Sequence, residues 1–119
     1  MNNRDFGTVG EQEAMHYLAK RGYTILCRNF RVGRMGELDL IGRDGDILCF
    51  IEVKTRSNDH FGTPAQAVSS LKQATIKRLA QVYIQRFGLY DLPVRFDIVA
   101  LMMDRKGKIQ DIQLLQNAF

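Results

Sequence analysis

The stretch GELDLIGRDGDILCFIEVKTR, residues 36–56, decides the fold. Two apolar runs flank Asp44-Gly45, a dipeptide typical of tight hairpin turns, and this predicts strands at about residues 37–42 and 46–54. Charged residues interrupt both runs: Asp39 lies in the first, and Glu52 and Lys54 lie in the second. Charges inside predicted strands indicate either a solvent-exposed face or a shared chemical role.

The hairpin register gives the neighbours of these charges. A two-residue loop at Asp44-Gly45 pairs Asp39 with Phe50 and Glu37 with Glu52, which makes Asp39 and Glu52 diagonal neighbours. Because side chains alternate along a strand, one face carries Glu37, Asp39, Ile41, Leu48, Phe50, Glu52 and Lys54. The opposite face is apolar and is expected to be covered by a helix; it carries Leu38, Leu40, Ile47, Cys49, Ile51 and Val53.

The carboxylates of Asp39 and Glu52 need compensation. At a separation of ~7 Å they repel by on the order of 2 kcal/mol, and Lys54 supplies only one positive charge. The pair therefore favours a hard divalent cation, and an open site that retains waters favours Mg²⁺ or Mn²⁺ over zinc. The alternative is a polar strand face in contact with water. Ile41, Leu48 and Phe50 on the same face count against that alternative.

Outside the hairpin, the sequence predicts two helices and three further strands. The first helix is expected to begin at the capping-box pair Thr8 and Glu11, to end at Gly22, and to share one face among Ala14, Tyr17, Leu18 and Arg21. A strand follows at residues 23–30. After a polar loop over residues 55–62 and a short helical turn opening at Thr63-Pro64, a second helix is expected from the pair Ser70 and Gln73 to Gly88. Its apolar stripe comprises Ile76, Leu79, Ala80, Tyr83 and Phe87.

The last two strands are expected at residues 94–103 and 108–115, the second at a sheet edge. The element order is then helix, three strands, helix, strand, strand. This order predicts an α/β fold with a mixed central sheet flanked by helices, and the length of 119 residues predicts a single domain over residues 1–119.

Composition narrows the class of protein only in part. The formal charge is +4, which permits a polyanionic partner, although solvated surface charge is the alternative. No apolar run approaches a membrane span and the N-terminus lacks a secretory pattern, so we expect no membrane partner and a cytoplasmic protein. Cys27 and Cys49 lack metal-ligand spacing and are expected to be buried small apolar residues.

The charged residues also resemble a known motif. Gly36-Glu37-Leu38-Asp39, followed after the hairpin by Glu52-Val53-Lys54, resembles the PD-(D/E)xK nuclease motif, with Leu38 in place of its proline. More closely, the chain resembles the YraN-like family of predicted bacterial endonucleases. That resemblance extends over nearly the whole chain, through Gly10-Glu11, Phe61-Gly62 before Pro64, Lys72-Gln73 and Arg95-Phe96-Asp97. It implies a restriction-endonuclease-like core of helix, three strands, helix and strand.

The resemblance also implies roles for residues of the motif. Asp39 and Glu52 would be metal ligands, helped by the backbone carbonyl of Val53, and Lys54 would position or polarise the attacking water. Glu11 is similar to an additional acidic residue that Holliday-junction resolvases place near the metal, although it also fits a helix cap. Gln66, Lys72 and Gln73 would support the site or lie on a helix surface.

The expected activity is metal-dependent hydrolysis of DNA phosphodiester bonds, with branched or repair intermediates suggested by the likeness to junction resolvases. Phosphate contacts are expected from basic side chains on the second helix and near the hairpin: Arg28, Arg31, Arg34, Arg56, Lys72, Lys77, Arg78 and Arg86. A homodimer would suit cleavage of two strands. The alternative is a non-catalytic nucleic-acid-binding or adaptor module that keeps the nuclease fold. His16 and His60 lack partners in the sequence and are not expected to be ligands.

Overall fold

The computed structural model describes residues 3–57 and 68–119, without the side chains of residues 3–8. In this part of the chain the elements follow the order predicted from the sequence. They are α1 Asn3–Lys20, β1 Tyr23–Arg31, β2 Glu37–Asp44, β3 Ile47–Arg56, α2 Ser70–Phe87, β4 Val94–Met103 and β5 Ile109–Leu115. The turn expected at Thr63-Pro64 lies outside the described residues, as do Phe61, Gly62, His60 and Gln66.

The strands form one mixed sheet in the order β1-β2-β3-β4-β5. Neighbouring strands are antiparallel except β3 and β4, which are parallel. Parallel pairing requires a long connection between the two strands, and α2 lies in that connection. The mixed α/β fold predicted from the sequence is therefore confirmed, and so is the position of β5 at an edge of the sheet.

The hairpin between β2 and β3 differs from the predicted register. Asp44 pairs with Ile47 and Ile41 pairs with Phe50, so the loop is Gly45-Asp46 and not Asp44-Gly45. Gly45 has φ +61° and is the first loop residue, as glycine is in type II′ turns. The slip moves each partner by two residues, which keeps the predicted faces. It also removes the diagonal relation of Asp39 and Glu52, because the register continued by one residue sets them opposite each other.

The strands β1 and β2 bend next to the charged end of the hairpin. The paired residues of β2 and β3 end at Leu40 and Ile51, and Asn29 of β1 has φ +52°, a backbone conformation that Asn tolerates better than most residues. Leu38 consequently lies in the cluster beneath α2, whereas Leu40 lies on the other face. The prediction that Leu38 shares a face with Leu40 is wrong, because alternation does not survive this bend.

The two sheet faces carry separate apolar clusters. Beneath α1, Ala14 and Leu18 pack with strand residues that include Leu40, Cys49 and Ile51. Beneath α2, the buried helix residues are Ile76, Leu79, Ala80 and Tyr83, as predicted. Phe87 is the exception in the predicted stripe, since it is 57% exposed at the helix end.

Both helices begin at positions other than those predicted. α1 begins at Asn3, so residues 8 and 11 lie inside the helix and do not form its cap. The capping-box spacing can occur within a helix, where the backbone donors are used by the i to i−4 ladder. For α2 the N-cap is Ser69 and not Ser70, and its hydroxyl accepts a hydrogen bond from the backbone N–H of Lys72.

The buried acid Asp97 joins β1, β4 and the C-terminal segment. Its carboxylate accepts two hydrogen bonds from Arg95, at 2.9 and 3.0 Å, and one from the Tyr23 hydroxyl at 2.9 Å. The backbone N–H of Asn117 donates a fourth at 2.9 Å. Burial raises the pKa of Tyr23 to about 12, so its hydroxyl keeps the proton that it donates.

We expect Asp97→Ala to lower the free energy of unfolding by about 3–5 kcal/mol, because Arg95 keeps only Asp44 as an ionic partner and the buried donors of Tyr23 and Asn117 lose their acceptor. Urea unfolding provides the measurement. Asp91→Ala, in an exposed turn, is the control and should change it by less than about 0.5 kcal/mol. A loss under about 1 kcal/mol for Asp97→Ala would show that this network does not hold the sheet edge.

Candidate active site

The site begins where β2 separates from β3. Beyond the last pair of the ladder, Leu40 with Ile51, the backbone N–H of Val53 donates to Asp39 Oδ2 at 2.8 Å. A side-chain carboxylate thus replaces a main-chain acceptor, and this fixes the direction of Asp39. The expected role of the Val53 carbonyl as a metal ligand stays a prediction.

Glu52 is the buried acid of the site, with only 2% of the residue exposed. Its Oε2 atom lies 3.5 Å from Lys72 Nζ and 4.0 Å from Lys54 Nζ. Its Oε1 atom is buried and has no hydrogen-bond partner among the described residues. Buried polar atoms in folded proteins almost always have a partner, so this oxygen makes Glu52 a candidate ligand-binding group.

Burial raises the pKa of Glu52 to about 8. The neighbouring Asp39 carboxyl group raises the pKa of Glu52 further. Lys72 and Lys54 act in the opposite direction, and their effect is smaller than that of burial. A carboxyl group in this state gains most from a nearby cation.

Glu11 reaches the same region from α1. Oxygen atoms of Glu11, Glu37 and Asp39 all lie within 4.8 Å of one another, a spacing that could hold a metal ion. Burial raises the pKa of Glu11, and the neighbouring Asp39 charge raises it further. Glu11 is therefore a member of the acidic cluster, which we define as Glu11, Glu37, Asp39 and Glu52, and not a helix cap.

Two local features bring Glu11 close to the strands. A Cβ on Gly10 would lie 2.6 Å from Thr55 Oγ1, so the lack of a side chain lets α1 approach β3. Asn29, with its left-handed backbone, places its amide group between two of the acids. Because carboxylates only accept, the amide orientation that satisfies both turns its nitrogen toward them, at 2.7 Å from Glu37 Oε1 and 3.2 Å from Glu11 Oε1. Arg31 forms an ion pair with Glu37.

Lys72 also belongs to this site. Besides its contact with Glu52, its ammonium group donates to the Glu37 carbonyl at 2.9 Å. Sequence reasoning expected Lys72 to support the site or to contact a phosphate. Its hydrogen bond to the Glu37 carbonyl ties the start of α2 to the start of β2, and the phosphate contact stays a prediction.

The other basic side chains of α2 do not converge on the cluster. Lys77 Nζ lies 5.7 Å from the Phe96 ring centroid, and Arg86 lies over Phe30. Arg78 is exposed. Arg56 is half-buried at the end of β3, with its Nη1 atom lacking a partner among the described residues.

The remaining polar candidates have ordinary surroundings. Gln73 donates to the Val68 carbonyl at 3.0 Å, and His16 is exposed on α1. Both cysteines are free thiols; Cys49 is buried as predicted and Cys27 only half-buried. Burial raises the pKa of Cys49 to about 12, which makes a reactive thiolate unfavourable there. Of the helices in the described residues, none has the length and apolar content needed to cross a membrane.

Comparison with known proteins places the chain in a family. The model described as "Uncharacterised protein family UPF0102" matches residues 10–101. The chain belongs to this family. The UPF0102 protein of Acetivibrio thermocellus is 45% identical over 121 residues, which cover 99% of this chain and 93% of the relative. The UPF0102 protein of Dictyoglomus thermophilum is 46% identical over 119 residues, which cover 100% of both.

In this UPF0102 chain, sequence reasoning identified Asp39, Glu52 and Lys54 but missed part of their surroundings. The contact of Glu37 with Glu11 was missed, because it depends on the break in side-chain alternation between Leu38 and Leu40. Asn29, a residue unfavourable in strands, was the available signal for that bend. The contact between Lys72 and Glu52 had no signal in the local sequence, because it joins residues on two different elements.

We expect Glu52→Gln to stabilise the metal-free UPF0102 protein more at pH 8 than at pH 5. The folded wild type keeps the Glu52 proton up to about pH 8, whereas the unfolded chain loses it near pH 4.5. The folded state therefore binds more protons in this window, and wild-type stability falls as the pH rises, by an amount on the order of a few kcal/mol. The glutamine side chain of the variant has no such titration.

Thermal unfolding in a chelator at both pH values measures this difference. Asp111→Asn, an exposed carboxylate on β5, is the matched control and should follow the wild type. A Glu52→Gln effect that is equal at pH 5 and pH 8 would show that burial does not penalise the Glu52 charge.

Proposed function

We propose that the protein is a metal-dependent endonuclease of the PD-(D/E)xK type that hydrolyses phosphodiester bonds in DNA. The observation that carries this proposal is Glu52. This carboxylate is 2% exposed, has an oxygen that no donor of the described residues reaches, and lies near Asp39 and two lysines. The order of helix, three strands, helix and strand agrees with the core that the resemblance implies. Substrates such as branched or repair intermediates are part of the proposal.

The donor set fits a hard divalent cation such as Mg²⁺ or Mn²⁺. The acidic cluster offers carboxylate oxygens only, which suit these ions better than zinc. Its four carboxyl groups are matched by three nearby cations, Arg31, Lys54 and Lys72. A bound ion would supply Lewis-acid chemistry, offsetting charge on the phosphoryl oxygens and favouring hydroxide formation from water.

The protein's own residues have distinct parts in this proposal. Asp39 and Glu52 hold the ion, and the Val53 N–H keeps Asp39 in one orientation. Glu11 completes the ligand set from α1. Lys54, at 4.0 Å from Glu52 and on the same face, orients the attacking water for in-line displacement. Lys72 is tied to the Glu37 carbonyl and steadies Glu52.

The proposal predicts Mg²⁺- or Mn²⁺-dependent cleavage in a screen of linear, nicked, flapped and four-way DNA, with matched RNAs. Asp39→Asn and Glu52→Gln should abolish cleavage and weaken metal binding in calorimetry, because each removes an anionic ligand. Asp91→Asn should do neither. A fully folded protein that binds these nucleic acids without cutting any of them would favour the non-catalytic binding module instead. Cleavage confined to RNA would contradict the DNA assignment.

Single-turnover kinetics should distinguish the roles of Lys54 and Lys72. Lys54→Met keeps much of the apolar stem but removes the charge and the donors, so the single-turnover rate at saturating enzyme and Mg²⁺ should fall by roughly 10²-fold or more. The single-turnover rate of Lys72→Met should fall by less than about tenfold, since Lys72 acts on Glu52 and not on the water. A Lys54→Met rate within about threefold of wild type would remove the catalytic role of Lys54.

A further inference from the structure

An open groove lies beside the acidic cluster, at the connection between β1 and β2. It has a volume of about 240 Å³ and is lined by Arg31, Gly33, Arg34, Gly36 and Glu37. Since one water occupies about 30 Å³ of liquid, the groove is large enough for a phosphate group together with waters. Glu37 lines the groove and also belongs to the acidic cluster, so the two features are adjacent.

The charges in the groove favour an anion. Arg31 already forms an ion pair with Glu37, which neutralises the one acid of the lining. Arg34 is exposed and has no acidic partner among the described residues. The guanidinium group of Arg34 is therefore an available donor, and its planar fork matches the geometry of phosphate oxygens.

The backbone of the connection keeps the groove open and fixed. Gly33 has φ +51° and Gly36 has φ +141°, so both positions favour glycine and neither carries a side chain into the groove. A Cβ on Gly36 would lie 2.8 Å from Thr75 Cγ2, which shows how closely this segment packs against α2. The adjoining Glu37 carbonyl is held by Lys72. The groove is thus attached to the same elements that carry the acidic cluster.

We propose that this groove binds a phosphate of the nucleic-acid strand next to the phosphate that is cut, with Arg34 as the principal contact. The inference rests on the proposed function, since it places the substrate strand at that site. Each strand of a duplex carries one phosphate per ~3.4 Å of helix axis, so a strand with one phosphate at Asp39 and Glu52 must pass neighbouring phosphates along the adjacent surface. Such contacts position the strand without reading its sequence.

Other basic side chains fit this place less well. Lys77 and Arg86 lie over the aromatic rings of Phe96 and Phe30, and no hydrogen bond or ion pair among the described residues joins them to the acidic cluster. The β1–β2 connection is therefore a better place for this phosphate than these two side chains.

The test compares Arg34→Gln with Arg105→Gln, which removes the same charge from an exposed residue in the turn between β4 and β5. Binding of a labelled DNA duplex is measured by anisotropy with Ca²⁺ in place of Mg²⁺, from about 50 to about 200 mM salt. Arg34→Gln should weaken binding several-fold and reduce the slope of log affinity against log salt by about 1. Arg105→Gln should match the wild type, and Arg34→Lys should recover part of the loss.

Equal binding by Arg34→Gln and Arg105→Gln would overturn the groove assignment, and wild-type cleavage in the same preparation would show that the nuclease proposal still stands. The reverse result, a selective loss with Arg34→Gln in a wild type that cuts nothing, would support a phosphate contact at Arg34 but would overturn both the nuclease proposal and the placement of the groove beside a cut phosphate. A wild type that binds no nucleic acid would overturn both.

Discussion

The hydrogen bond from the Val53 N–H to Asp39 Oδ2 is the interaction on which the candidate site depends. It occurs where the ladder between β2 and β3 stops, so a backbone donor that would otherwise lose its partner is satisfied by a side chain. Asp39 lies at this end of the ladder beside the carboxyl groups of Glu11 and Glu37, and its charge also acts on Glu52. This one hydrogen bond therefore stabilises the end of the β2–β3 ladder and fixes the orientation of the Asp39 carboxylate.

The two buried acids in the described part of the chain show how differently a fold can treat a carboxylate. Asp97 is fully buried and accepts four hydrogen bonds, two of them from Arg95. Glu52 is almost as buried, yet its Oε1 has no donor among the described residues and its lysines stand at 3.5 and 4.0 Å. The satisfied acid joins strands, whereas the unsatisfied acid retains capacity for a ligand. Such strain is typical of functional sites.

Local patterns in the sequence predicted the helices and strands. Features that depend on contacts between those elements were missed. Strand β4 was predicted with its observed bounds, Val94–Met103, because a long apolar run with clear turns on both sides leaves few alternatives. The predicted hairpin register was wrong by one loop position, since Asp44-Gly45 and Gly45-Asp46 are both good turn sequences. The face on which Leu38 lies and the position of Glu11 beside the strand acids both depend on the bend at Asn29. The apolar periodicity of β2 and α1 gives no sign of that bend.

The distribution of charge adds a constraint that neither the motif nor the fold supplies alone. The acidic cluster would repel a polyanion, so a nucleic acid can approach only if positive charge lies beside it and a cation enters it. Lys54 and Lys72 sit within the cluster, while Arg34 stands at its margin without an acidic partner in the described part of the chain. This alternation of negative and positive groups over adjacent surfaces matches a phosphate backbone that passes a metal site. A uniformly basic surface would bind the same polymer but would give no reason for burying Glu52.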